Sequence, residues 1–401
     1  MNNRRYFTHI GSLCLSKTAD GLIDPKLVLP WLMNALGAPG FLTGLLVPVR
    51  EAGALLPQLL LARQIERRSI RRYFWVVGSA VQGVAALGIA ASALLLSGQA
   101  AGWAIILCLA VLAVARSACS ASYKDVLART IDKGSRGRVS GTAGTFSAIV
   151  VFAFAVLLST EVLPREPFYI ACAVAVAGGL WLLGAGLFAT LDEPPADSDG
   201  AAMDKVADLV RPLKEDSEFR TYVATRALLI STALAPPFLV MLGSTDEVGF
   251  GNLGLLILAS SVAVIVSSYL WGALSDKSSR RVLMLAGLIS AITLGVAATI
   301  GFGFGGVSSG YVNAGFVFIA QIAYEGARAG RKTHLTDMDT DDQKSVYTAL
   351  SNSLIGVLLL AGGALGLVSD TAGPQGALAI LAVLSTVSVF TARNLSEVQA
   401  D

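Results

Sequence analysis

LDEPPADSDGAAMDKVADLVRPLKEDSEFR (191–220) is the longest polar run in a chain otherwise made of apolar segments, and it cuts the 401 residues nearly in half. Within it Met203, Val206, Val210 and Leu213 recur at helical spacing, which predicts a short helix lying on the cytoplasmic membrane surface, with Pro212 disturbing its last turn. A helix needs about 20 apolar residues to cross a bilayer. Such windows occur six times before the polar run, at 7–34, 41–62, 73–97, 103–125, 139–160 and 168–190. Six more follow it, at 219–243, 251–274, 282–303, 311–331, 346–368 and 376–392. The expectation is an all-α membrane protein of twelve transmembrane helices in two pseudo-symmetric six-helix bundles, 1–190 and 219–401, joined by a cytoplasmic linker, 191–218.

Composition agrees with this: 54% of residues are hydrophobic and 14% charged, against about 25% charged in ordinary soluble domains. The net charge of +2 and the absence of a like-charged tail give no sign of a nucleic-acid partner. Cys14, Cys108, Cys119 and Cys172 all sit in apolar segments without CxxC spacing or clustered histidines, and read as small core residues, so no metal or other cofactor is expected. At the N-terminus, His9 and Lys17 interrupt the apolar run and no small-residue cleavage site follows, so the segment is read as retained.

Lys and Arg in the short loops set the orientation. ARQIERRSIRR (62–72) and RTIDKGSRGR (129–138) are rich in them, whereas NALGAPG (34–40), SGQAAG (97–102), GFGGVSSG (303–310) and SDTAGPQG (369–376) have none; Arg165 is the exception. Both termini are therefore placed in the cytoplasm, and the setting expected is a bacterial cytoplasmic (inner) membrane, with the chain acting as a monomer in the bilayer.

KTADGLIDPKLVLPW (17–31) conflicts with a simple first span, because it carries Lys17, Asp20, Asp24 and Lys26. A charge at the centre of a lipid-exposed helix costs roughly 2.5–3.5 kcal/mol and each Leu or Val returns only about 0.3–0.6, so four ionisable groups cannot face lipid. At about 100° per residue, Lys17, Asp20 and Asp24 share one stripe about 60° wide. The other intramembrane charges are Arg50 and Glu51 in span two, Arg116 and Lys124 in span four, Arg226 in span seven, and Glu325 and Arg328 in span ten. Asp24 and Glu51 lie roughly 15 Å deep, near the midplane. Asp20 and Asp24 read either as coupling carboxylates or as permanent ion partners of Lys17 or Arg116. Arg50 and Glu51 read as site residues or as a structural pair, and the arginines as anion ligands or counterions. Lys124 and Lys332 suit snorkelling to the interface, and His9 and His334 are lone histidines at membrane ends.

RRYFWVVG (71–78) matches RRVLMLAG (280–287) at an offset of 209, and ASYKDVL (121–127) matches AGRKTHL (329–335) at 208, which points to an ancient duplication. Together with GALSDKSSRR (272–281), which is similar to the motif G-x-x-x-D-[RK]-x-[GS]-R-[RK], these features resemble the major facilitator superfamily over essentially the whole chain. The resemblance implies a conformational latch at Gly272, Asp276, Arg280 and Arg281, where Gly272 permits close helix approach and Asp276 pairs with Arg280 or faces a helix N-terminus. It also implies that spans one, four, seven and ten line a central cavity, the spans that hold most of the charge. The first-half copy departs from the motif, with Arg63 and Arg67 at the positions equivalent to Gly272 and Asp276, and span five lacks G-P-x-x-G-G.

The function expected is that of a secondary active transporter, not an enzyme, moving a small polar or amphipathic, anionic or zwitterionic solute by alternating access. The coupling candidates are Asp20, Asp24 and Glu51, carrying protons or another ion. The substrate-cavity candidates are Lys17, Arg50, Arg116, Arg226, Glu325 and Arg328. The alternatives are drug or metabolite efflux or lipid flipping on the same fold. A membrane lipid enzyme is a further alternative, for which DMDTDDQ (337–343) is the only acidic cluster.

Overall fold

The computed structural model describes residues 3–58, 61, 64–65, 67–132, 135–160, 162, 166–195, 212–243, 253–338 and 344–399. Met203, Val206 and Val210 of the expected surface helix, residues 339–343 of the acidic cluster, and Arg63, Lys133 and Arg165 lie outside them. The chain divides into two compact units, one of Met1–Leu42 with Val49–Ala202 and one of Thr43–Pro48 with Met203–Asp401.

The first unit contains α1 (Asn3–Ile23), α2 (Val28–Ala35), α3 (Gly40–Leu55, shared with the second unit at 43–48), α4 (Arg72–Leu95), α5 (Gly98–Thr130), α6 (Arg136–Ser159) and α7 (Pro167–Ala189). Helix α4 packs on α5 and α7, and α1 packs on α6 and α7. At the α4–α7 crossing the backbones touch: a Cβ on Gly83 would lie 2.7 Å from the Gly178 carbonyl oxygen, and one on Gly178 2.9 Å from that of Gly83. Only glycine at both positions allows such an approach. The outer faces stay apolar and exposed, as at Val77 and Val84 on α4 and Leu107 and Val111 on α5, as expected of helices solvated by lipid.

The second unit contains α8 (Ser217–Leu228), α9 (Ile230–Leu242), α10 (Leu253–Ser275), α11 (Ser279–Phe304), α12 (Gly310–Asp337), α13 (Lys344–Gly362) and α14 (Leu365–Arg393). Helix α11 packs on α12 and α14, α10 on α12, and α9 on α14. Asp216 caps α8 by accepting the Phe219 N–H at 3.0 Å, and Ser278 caps α11. Expected span eleven is α13 plus the first turns of α14. Gly373, at φ 73°, and Pro374 then kink the chain into span twelve.

Among the described residues, each of the twelve expected spans is mainly helical, span one with a break at 24–27. Among the described residues, eight helical segments are long and apolar enough by themselves to cross a membrane. The remaining positions are the broken, short or charge-bearing helices α1 to α3, α12 and α13.

Each unit holds a similar clasp at the end of its last helix. In the first, Glu193 after α7 accepts the backbone N–H groups of Arg71 and Arg72 at 3.1 and 2.8 Å, and the Arg71 guanidinium reaches Asp125 at 3.0 Å. In the second, Glu397 after α14 accepts the Ser278 hydroxyl at 2.8 Å and pairs with Arg280 at 3.5 Å, while Ser279 hydrogen-bonds His334 at 2.9 Å. Arg71 and Arg280 stand 209 residues apart.

Candidate functional site

The site in the first unit begins with the break between α1 and α2. Pro25 has no N–H to donate, so the helix cannot run through it unbroken. Asp24 holds the turn together: its carboxylate accepts the Lys26 N–H at 2.8 Å, and its carbonyl accepts those of Val28 and Leu29 at 3.0 Å. Asp24 is half-buried, and the charges acting on it are those of Lys26, Arg50 and Asp20.

One turn earlier, the Asp20 carboxylate is shared by two guanidiniums. Arg116 on α5 reaches it at 2.6 Å and Arg50 on α3 at 3.0 Å, with side-chain exposures of 23% for Asp20, 30% for Arg116 and 13% for Arg50. Ser16, one turn back on α1, accepts from Arg116 at 3.3 Å and from the Trp181 indole at 3.2 Å. Three helices are thus tied by one anion and two cations, leaving a surplus of one positive charge. Removing one partner from such a buried pair costs about 3–5 kcal/mol, because the other charge stays desolvated. The Lys17 ammonium donates to the Ser140 carbonyl on α6 at 3.1 Å.

Glu51 is different from its acidic neighbours. It is half-buried beside Arg50, whose field it feels, yet among the described residues its carboxylate has no hydrogen bond and no ion pair. Of the three carboxylates expected to couple transport, Asp20 is held by two arginines, Asp24 by the backbone, and Glu51 by no hydrogen bond or ion pair among the described residues.

In the second unit Arg226 is 8% exposed. Its two terminal nitrogens donate to the Ser351 hydroxyl at 2.6 Å and the Asn352 carboxamide oxygen at 2.8 Å, both on α13, and its Nε has no partner. No carboxylate among the described residues lies within ion-pair distance of it. Glu325 on α12 is separate, accepting from Gln321 at 3.2 Å and from the largely exposed Arg328 at 3.5 Å.

The latch residues are arranged differently from the expected pairing. Arg280 turns to Glu397 and to the Leu395 carbonyl, not to Asp276, which is exposed and has no partner among the described residues. The reason is local: Ser278 caps α11 through the Arg281 N–H, which leaves Asp276 in the turn before the cap. The Arg281 side chain is exposed, and a Cβ on Gly272 would meet nothing within 4 Å.

Both histidines are fully buried: His9 bonds Thr130 at 2.8 Å, and His334 lies between Ser279 and Glu218, at 2.9 and 3.2 Å. His334 stands beyond the expected end of span ten; burial pushes its imidazole below the ordinary value, and Glu218 only partly opposes this. Among the described residues no cluster of three or more His, Cys, Asp and Glu side chains could hold a metal ion. A groove of about 920 Å³ between α4 and α5, lined by Phe74, Val77, Val81, Val111 and Val114, is apolar and touches none of the interior charges. The charges, not this groove, mark the site.

No family model matches the chain, and no curated protein sequence does so. Solved structures do. A point variant of the nucleoside transporter NupG superposes with a TM-score of 0.76 at 12% identity, covering 98% of this chain and 99% of that one. A variant of the E. coli fucose:proton symporter FucP gives 0.58 at 16% identity, covering 98% of each. At these identities the likeness is one of fold: the chain is an all-helical membrane protein with the fold of major facilitator superfamily transporters.

Proposed function

We propose that the chain is a secondary transporter that moves a small polar or amphipathic solute across the membrane by alternating access, with Glu51 carrying the coupling proton. The observation that carries this reading is the half-buried Glu51 carboxylate, without a hydrogen bond or ion pair among the described residues, beside the cluster of Asp20, Arg50 and Arg116. Lipid-facing charge is too costly to keep without use, and a carboxylate with no fixed counterion is free to bind and release a proton as its surroundings change. Asp20, clamped by Arg50 and Arg116, positions α1, α3 and α5. Asp24 shapes the break between α1 and α2, of the kind at which transporters bind solutes. The surplus positive charge of the cluster favours an anionic or zwitterionic solute. The two solved neighbours, a nucleoside transporter and a fucose:proton symporter, are consistent with a polar solute driven by a proton gradient.

The test is flux. The purified chain is screened by thermal shift against metabolites, and each stabilising compound is then offered to proteoliposomes with and without an imposed proton gradient. Uptake that rises with the gradient, and falls to the gradient-free level in Glu51→Gln, is the expected result. Equal uptake by wild type and Glu51→Gln under both conditions removes Glu51 from coupling. No uptake of any stabilising compound above protein-free vesicles removes the transport reading.

A further inference from the structure

The second unit holds a cation without an anion. Arg226 is more than nine-tenths buried, yet the two groups bonded to it, Ser351 and Asn352, are neutral, and one turn back on α8 the Tyr222 hydroxyl donates to the Arg331 carbonyl at 3.0 Å. A second cation, Arg331, also acts on it. In the first unit the equivalent position, 209 residues earlier, is Lys17, which also bonds the fifth span of its half, at Ser140. There the interior carries Asp20 as an anion one turn on. The matching residue in the second half is Leu229, so the counterion is missing from the sequence itself.

The surrounding hydrogen bonds show the same surplus of donors. Because the Asn352 oxygen faces Arg226, its amide nitrogen points away with two N–H groups, and no acceptor for them exists among the described residues. The Arg226 Nε–H is likewise unused. A buried guanidinium, a carboxamide N–H pair and a spare Nε–H call for an acceptor that is itself charged. Planar oxyanions fit a guanidinium fork best. Asn352 is only half-buried, so the group is reachable from its side.

We propose that Arg226, Ser351 and Asn352 form an oxyanion-binding subsite, taking a carboxylate or phosphate group. This rests on the transport reading only in assigning that group to the solute; the binding site itself does not depend on transport. The same chemistry is offered by a soluble anion and by an anionic lipid headgroup, and the experiment separates them.

Thermal unfolding of the full chain is followed in detergent with sodium phosphate, acetate, succinate or glycerol 3-phosphate, against sodium chloride at matched ionic strength. A second arm compares nanodiscs of phosphatidylcholine with nanodiscs containing phosphatidylglycerol. At least one oxyanion stabilises the wild type, and Arg226→Gln weakens its binding on the order of tenfold to a hundredfold, the worth of a charged hydrogen-bonded contact. Since Arg226→Gln can fail to fold, the deciding variant is Asn352→Asp, which places a carboxylate where the amide oxygen meets Arg226. It is expected to unfold at a higher temperature without ligand and to lose the oxyanion response. A response to phosphatidylglycerol alone, abolished by Asn352→Asp, keeps the subsite and assigns it to a headgroup. An oxyanion response alongside absent flux keeps the subsite and removes the transport reading. No response in either arm, or an undiminished one in Asn352→Asp, overturns the proposal.

Discussion

Replacing Asp20 by Asn keeps the side chain's shape and removes the only anion between two guanidiniums. Arg116 and Arg50 approach it at 2.6 and 3.0 Å, and all three side chains are less than a third exposed. Loss of one partner from a buried pair costs about 3–5 kcal/mol, and the partial exposure of Arg116 places this case near about 3 kcal/mol. For a unit of some 200 residues, each kcal/mol shifts the midpoint by about 2–4 °C, so unfolding in detergent, followed by tryptophan fluorescence, is expected roughly 6–12 °C lower. Arg116→Gln alone destabilises as well, because Asp20 keeps only Arg50. The double variant Asp20→Asn/Arg116→Gln removes one cation with the anion and is expected to recover part of the loss, with a coupling energy of about 1–3 kcal/mol. A midpoint unchanged in Asp20→Asn, or a double variant whose loss is the plain sum of the singles, would refute the clamp.

Glu51→Gln removes no bond, so its unfolding midpoint is expected to match the wild type while gradient-driven uptake is lost; a large destabilisation would mean that the carboxylate has a structural partner. Gly83→Val places a side chain against the Gly178 carbonyl, where a Cβ alone would be 2.7 Å away; overpacking of this kind costs about 1–3 kcal/mol, and an unchanged midpoint would deny the close crossing of α4 and α7. His334, buried against Ser279 and Glu218, has its imidazole pushed below the ordinary value by burial. The unfolded chain therefore binds this proton first, so the stabilisation present above about pH 6.5 is lost as pH falls through the folded-state value. The midpoint is expected to drop on acidification below that pH, and His334→Gln to flatten the dependence; the same slope in both proteins would clear His334.

Helices were legible because hydrocarbon admits little else: twelve apolar runs required twelve helical positions. Pro25 was the available signal for the break that divides the expected span 7–34 into α1 and α2. What it could not announce was that Asp24 would close the turn, because an Asx turn depends on the backbone of Lys26 folding back within reach. Arg116 is one of the two ion partners expected for Asp20 or Asp24, and it meets Asp20. Arg50 escaped as a partner of Asp20 because it reads along the chain as the neighbour of Glu51, and depth alone does not say which face of α3 turns toward α1. Lys17 shares the stripe of Asp20, yet bonds Ser140, since a long flexible stem can leave its own helix face. Ser351 and Asn352 were passed over because span eleven carries no charge; the polar triplet SNS (351–353) inside an apolar run was the available signal. The tail residues 395–399 that hold Arg280, Ser279 and Glu218 have no periodicity to betray them.

The central claim is that the interior charges stand in a protein-walled aqueous site and not against lipid. The direct measurement is thiol accessibility at Glu51→Cys, in a background with Cys14, Cys108, Cys119 and Cys172 replaced by Ala. A charged, membrane-impermeant thiol reagent is expected to label the position, and a stabilising solute to slow the labelling. Labelling by an apolar maleimide alone, with the charged reagent excluded in the presence and absence of solute, would place Glu51 in hydrocarbon and contradict the account.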